Sequence, residues 1–293
     1  MGARSAVGPP RMLRQALKSS VLVAGRRLVM SVKCPRVVVL CYHSVHPKKF
    51  FSVPPNVFER HLIWLKKHCD PVPFTGVADL ASRCDTLQRH AVAITFDDGY
   101  RDNFDFAFPL LRKHGVPATF FVTIGFLERD PSVMEIFRVL RRARDDELQP
   151  LMWAQVREMR RAGMEFGTHT YSHRNLARMS STAVEAEGTR SKLILEDRLG
   201  ERITTMAYPF GAWGRHFTGS TMAIMSRIRY EYAASTVFRA VRPTDSPLAI
   251  PRFFAGDGID LTTLRDKVSG AWDMLGYVRE KMPWVVRGSG GDS

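Results

Sequence analysis

The chain has 293 residues, 45% of them hydrophobic, and a formal net charge of +14. That length supports a sizeable core in one large domain or two small ones, and no apolar run approaches the roughly eighteen residues of a membrane span. Eight of the positive charges fall among residues 1–36, which hold no acid. The basicity is therefore mostly a property of a leader, and without interleaved aromatics it does not imply a nucleic-acid groove.

The leader's apolar stretch, Val21 to Gly25, is short and is broken by Arg26-Arg27, which is a poor match to a signal peptide. Two readings stay open for residues 1–35: a basic arm contacting an anionic membrane surface, and a solvated basic tail. With neither a signal peptide nor a membrane span, the expected location is cytoplasmic or peripheral to the inner membrane. The four cysteines, Cys34, Cys41, Cys69 and Cys84, form no CxxC pair and read as ordinary core residues or surface thiols.

Beyond the leader, strand and helix signals alternate. Val37 to Cys41 reads as a buried strand. Asn56 resembles an N-cap with Glu59 three residues on, and Phe58, Leu62, Leu65 and Cys69 follow at helical spacing, so the pattern predicts a helix over 57–69. A second strand spans 91–96, a helix runs from about 101 to 114 and stops at Gly115, and 118–123 is a third strand. Residues 126–150 are charged and irregular and read as a surface excursion with a short helix. A helix from Trp153 ends near Gly163, followed by a short strand over 164–167. A long helix over 181–199 is closed by Gly200. Then come a strand over 204–208, a helix near 219–229 and a strand over 232–236. Asp260 caps a last helix running to about 280, and 282–293 is a flexible tail. Repeated strand–helix units predict one α/β domain over 36–281, either a barrel or an open parallel sheet. In both, the loops leaving the carboxyl ends of the strands build the site.

The residues that follow each predicted strand are chemically pointed. The first strand is followed by Tyr42 and His43, and the second by Asp97 and Asp98 in TFDDGY. HTYSH supplies His169 and His173, and later come Tyr208-Pro209-Phe210-Gly211 and Pro251-Arg252. Two adjacent carboxylates raise each other's pKa unless a cation compensates. Two histidines with one carboxylate are a ligand set for a catalytic divalent metal, which would supply that cation and activate water. Imidazoles with a hard carboxylate suit Zn2+, with Co2+, Ni2+ or Fe2+ as alternatives. Each motif has a bland reading when taken alone: a turn with solvated carboxylates, or two surface histidines on one helical face. Their order, each at a strand end, favours a metal-dependent hydrolase. No GxSxG, HExxH or GxxxxGK[ST] pattern is present.

TFDDGY, HTYSH and the AYPFG turn resemble the successive motifs of the NodB-homology polysaccharide deacetylases, carbohydrate esterase family 4, over about 36–255. The resemblance implies a distorted (β/α) barrel of about seven parallel strands, and metal-dependent removal of acetyl groups from N-acetylated sugars. It implies that Asp97 is the general base and that Asp98, His169 and His173 are the metal ligands. The Phe210 backbone N–H would be a donor to the developing oxyanion. Many members start the third motif with an arginine that holds the catalytic aspartate. Here that position is Ala207, and Arg252 is the candidate replacement, against a reading as a surface arginine. Many members also take a general acid from a late Leu-x-His motif, whereas this chain has no histidine after His216. Cys41-Tyr42-His43-Ser44-Val45 resembles the Tyr-His opening of the poly-N-acetylglucosamine exopolysaccharide subgroup, which makes His43 the candidate acid.

The expected partner is an N-acetylated glycan, either an exopolysaccharide or a chito-oligosaccharide-like chain. Trp213 and Tyr171 are candidates to stack on its sugars. Two alternatives are a catalytically impaired carbohydrate-binding protein on the same fold and a metal-dependent hydrolase of O-acetyl esters or other C–N bonds. No feature of the sequence sets an oligomeric state.

Overall fold

The computed structural model describes residues 35–49, 52–141, 148–256 and 258–273. The leader, the C-terminal tail and Cys34 lie outside the described residues. In chain order the structure forms β1 (Val37–Tyr42), β2 (Ser44–Val45), β3 (Ser52–Val53), α1 (Pro55–His68), β4 (Cys69–Val72), α2 (Val77–Ser82) and β5 (His90–Phe96). Next are α3 (Phe108–His114), β6 (Thr119–Val122), α4 (Ile124–Leu127), α5 (Pro131–Arg141), α6 (Trp153–Arg161), β7 (Glu165–Thr168) and α7 (Ser181–Leu199). The chain then adds β8 (Thr205–Ala207), α8 (Gly219–Arg227), β9 (Tyr232–Ala234), β10 (Phe253–Phe254) and α9 (Leu261–Ser269).

β1 is buried along its whole length, as a continuous β-branched run covered on both faces should be. It pairs in parallel with β5 from Val37–Ala91 to Tyr42–Phe96. The sheet continues in the order β10-β1-β5-β6-β7-β8-β9, with β4 beside the first half of β5. Its named pairs are all parallel. Before β10 the chain passes β9: Ile250 N–H donates to Ala233 O and Ser235 N–H to Ile250 O, both at 2.8 Å. That link brings the two ends of the seven-strand path together as a distorted (β/α) barrel.

Side chains alternate across a strand, and the core divides accordingly. Val38, Leu40, Val92, Ile94 and Phe120 pack under the helices with Phe58, Leu62 and Leu111. Val37, Val39, Ala91, Ala93, Phe121 and Ala207 form a smaller cluster on the concave face. Thr95 and Asp97 continue the concave parity of Ala91 and Ala93, so the period of two aims Asp97 into the mouth of the barrel.

Several element boundaries differ from those the sequence predicts. Asn56 is not the cap of α1. The helix starts at Pro55, whose fixed φ suits a first turn, and Pro54 occupies the cap position. Residues 103–107 form a π-helical turn before α3, and the helix expected within 126–150 is α5, eleven residues long, with 142–147 outside the described residues. β4 is a strand where Asp70 and Pro71 hide any alternation. α9 ends at Ser269, where Gly270 takes φ 104, and the expected continuation over 274–280 lies outside the described residues. No helix among the described residues is long and apolar enough to cross a membrane.

Candidate active site

The turn after β5 is built to present two carboxylates. Asp98 has φ 76 and Gly99 φ 92, a left-handed conformation that side chains resist. At Gly99 a Cβ would stand 2.8 Å from Leu127 Cδ1 and 3.2 Å from Val122 Cγ1, so only glycine fits there. His173 and Phe210 also have positive φ, 58 and 60. Strain of this kind persists where the surroundings over-determine it, and it clusters at functional sites.

Asp97 is buried and meets Arg252 through two parallel bonds, Nη1 to Oδ1 and Nη2 to Oδ2, both 2.7 Å. Arg252 is itself enclosed. It also donates from Nη1 to Thr95 Oγ1 and from Nε to Ser235 O, each at 3.0 Å. Burial alone would push the Asp97 pKa up, but Arg252, His169 and His43 overcome it and hold the carboxyl at about 2.

Asp98, His169 and His173 are buried together. One Asp98 oxygen, Oδ2, accepts from Arg141. The other, Oδ1, lies 3.4 Å from His173 Nε2 and 3.8 Å from His169 Nε2, and neither contact has hydrogen-bond geometry. Burial opposes the charge on Asp98, yet Arg141, His173 and His43 keep its pKa well below the usual carboxylate range. His169 Nδ1 stands 2.8 Å from Ala207 O. A ring nitrogen that donates to a carbonyl leaves Nε2 with its lone pair, and burial holds His169 down at about 4, hence neutral. A buried carboxylate oxygen without a partner, facing two imidazole nitrogens, fits a divalent cation with N/O preference.

The sequence profile of the family described as "Polysaccharide deacetylase" matches residues 85–233, half of the chain. The chain belongs to the polysaccharide deacetylase family. It is 24% identical over 260 residues to a poly-beta-1,6-N-acetyl-D-glucosamine N-deacetylase of Staphylococcus aureus, covering 85% of this chain and 83% of that protein. IcaB from Ammonifex degensii superposes with a TM-score of 0.65 at 25% identity, over 81% of this chain and 97% of that one. The Streptococcus pyogenes deacetylase PplD shares the fold, with a TM-score of 0.67 at 22% identity over 80% and 99% of the two chains. The deacetylase fold is thus the NodB type, and enzymes of this family are hydrolases that use a divalent metal.

In this deacetylase the remaining sequence-predicted residues lie at the same opening. His43, in the turn after β1, shares a ligand-sized space with Cys41 and Asp97, their ligand atoms lying within 4.8 Å of one another. Its ring meets the edge of the half-exposed Phe254 at 5.5 Å between centroids. Desolvation lowers the His43 pKa to about 4. Tyr42 points the other way, into the core, where its hydroxyl contacts His61 Nδ1 at 3.1 Å. The Phe210 ring packs edge-on against His173 at 4.9 Å, and its N–H finds no acceptor among the described residues. Arg252 is not a surface residue.

Trp213 is exposed at the rim, but Tyr171 is buried. Arg190 covers its ring at 3.4 Å and Asp130 takes its hydroxyl, so Tyr171 offers no face to a sugar. The sequence reading missed Arg141, Cys41 and Phe254. Arg141 lies 43 residues from Asp98 in a segment without a motif, and Phe254 lies on a two-residue strand. Cys41, whose thiol donates to Asp97 Oδ2 at 3.3 Å, was accessible through the same alternation that places His43.

Proposed function

We propose that this enzyme is a metal-dependent N-deacetylase of a polymer of N-acetylglucosamine. The observation that carries the reading is the convergence of Asp98, His169 and His173 beside an Asp97 clamped by Arg252. The relative from S. aureus, matched along most of both chains, supports the glycan, as does the Tyr42-His43 opening. Residues 1–35 complete the proposal as a basic arm for an anionic membrane surface, ahead of a catalytic domain over 36–281.

Asp98 Oδ1 and the Nε2 atoms of His169 and His173 would hold the ion, for which Zn2+ suits the donors best. When bound, such an ion lowers the pKa of water and polarises an acetyl carbonyl. Asp97 takes the proton that the attacking water gives up. Arg252 keeps both Asp97 oxygens oriented for that transfer. The free Phe210 N–H donates to the oxyanion as the carbonyl becomes tetrahedral. His43 is neutral beforehand, so the proton it hands to the leaving amine is the one Asp97 collected. Acetate and a free amino sugar result.

The test is acetate release from a β-1,6-linked N-acetylglucosamine oligomer by the purified chain, after chelation and after Zn2+ or Co2+ add-back. Release that disappears on chelation and returns with the metal is the expected result. Protein that holds one metal ion and releases no acetate would exclude this substrate.

A further inference from the structure

The five residues from His169 to His173 are held in a conformation that they would not choose. Thr170 and His173 have φ 64 and 58, and a β-branched residue there is a genuine outlier. Within the loop, His173 N–H donates to Thr170 Oγ1 at 3.1 Å. The N–H groups of Tyr171 and Ser172 have no partner in the sheet, and buried backbone donors must be satisfied somewhere.

They are satisfied by one side chain. Glu187 on α7 accepts both: its Oε2 lies 3.0 Å from Tyr171 N and 2.9 Å from Ser172 N. Its Oε1 takes the Ser172 hydroxyl at 2.6 Å. Across the loop, Ile124 N–H and Gly125 N–H donate to the carbonyls of Thr170 and Tyr171 at 3.2 and 2.9 Å. That approach needs a glycine, since a Cβ at Gly125 would be 2.8 Å from Tyr171 O and 2.6 Å from Val133 Cγ2. The loop is therefore clamped by its carbonyls on one side and by a single carboxylate on the other.

We propose that Glu187 is the positioning residue for the metal-binding histidines. Its carboxylate fixes the strained loop so that both Nε2 atoms face Asp98 Oδ1 before any ion arrives. Charged acceptors make stronger hydrogen bonds than neutral ones, which is why a glutamate can hold a left-handed threonine in place. Without it, the loop relaxes toward ordinary backbone angles and His173 swings away, so binding must first restore the geometry. This inference rests on reading Asp98, His169 and His173 as the metal site.

The experiment measures Co2+ and Zn2+ affinity of the full chain by competition with a chromophoric chelator, together with the visible spectrum of bound Co2+. Wild type is expected to bind one equivalent, and H169A to lose it. E187A is expected to weaken binding about 10–100-fold, the range for partners that orient metal ligands, with a changed Co2+ spectrum. E187Q keeps an oxygen for the two N–H groups and turns its NH2 to the Ser172 hydroxyl, which then accepts, so it should lose less affinity than E187A. E187D, whose carboxylate stops one methylene short of the loop, should lose about tenfold. Asp130→Asn meets the loop only at the Tyr171 hydroxyl, keeps an oxygen for the Ser132 N–H and hydroxyl, and should leave affinity unchanged. A merely structural glutamate would lower the melting temperature while the folded protein kept wild-type affinity. Wild-type affinity in folded E187A, or in E187D should E187A not fold, overturns the inference. No bound ion in wild type, or full binding by H169A, overturns the metal-site reading instead.

Discussion

Asp97 and Arg252 meet edge to edge, and the arginine is oriented independently of the aspartate by Thr95 and Ser235. The guanidinium is thus a fixed template on which the carboxylate is set. Lysine keeps the charge but cannot span both oxygens, so R252K should lower the rate of acetate release by roughly 10²-fold, the effect of a misplacement of about 1 Å. R252M leaves a buried carboxylate uncompensated and should destabilise the fold by about 3–5 kcal/mol, read by chemical denaturation. An R252M variant as stable as wild type would mean that Asp97 is not charged in the folded state.

The two adjacent aspartates should separate on substitution. D97N keeps an acceptor for Arg252 but removes the proton acceptor, so turnover should fall by roughly 10²–10⁴-fold with metal content unchanged. H169A should lose metal and turnover together. Metal analysis of the purified variants beside acetate release decides it, and full activity in D97N would remove Asp97 from the chemistry.

What could be read from the sequence followed from period and position. The apolar run before TFDDGY fixes β5, and counting in twos from Ala91 places Asp97 on the concave face. The order of motifs at strand ends then brings Asp97, Asp98, His169 and His173 to one rim, while the choice of Asp98 as the ligand and Asp97 as the base follows only from the family resemblance. Three other features left no such trace. Arg141 and Glu187 act across the fold on the ligands, and nothing local in their helices marks them. β4 contains a proline and an aspartate, residues depleted from strands, and is kept as a strand by its pairing with β5. The cap-like side chain of Asn56 suggests a later start for α1 than the one Pro55 sets by supplying the helical φ.

His61, buried beneath the first strand, should make the fold acid-sensitive. An unfolded histidine titrates near 6.5, whereas burial pulls folded His61 to about 4. Between those values the unfolded chain takes the proton and the folded chain does not, so protonation favours unfolding. Stability present above pH 6.5 is lost as pH falls toward 4, by about 2–3 kcal/mol from this residue. H61Q retains an acceptor for the Tyr42 hydroxyl and cannot titrate. Denaturation curves at pH 7 and pH 4.5 should therefore differ less for H61Q than for wild type, and an equal difference would show that His61 does not drive the loss.

Gly167 sets the spacing that delivers His169 to the rim. A Cβ there would stand 2.4 Å from Thr205 Oγ1, 2.7 Å from Thr205 O and 2.8 Å from Phe121 Cδ1. The Thr205 hydroxyl could rotate away, but its carbonyl belongs to β8 and can yield only if the two strands part. β7 and β8 share the pairing Thr168–Met206, and His169 Nδ1 reaches Ala207 O on that same neighbour, so the displacement would carry to the imidazole. G167A should therefore destabilise the fold by about 1–3 kcal/mol and also weaken metal binding. G219A is the control. Nothing lies within 4 Å of a Cβ at that helix start, so alanine should be neutral or stabilise by up to about 1 kcal/mol. Equal stabilities for the two variants would show that β7 and β8 tolerate a wider separation than the contacts at Gly167 imply.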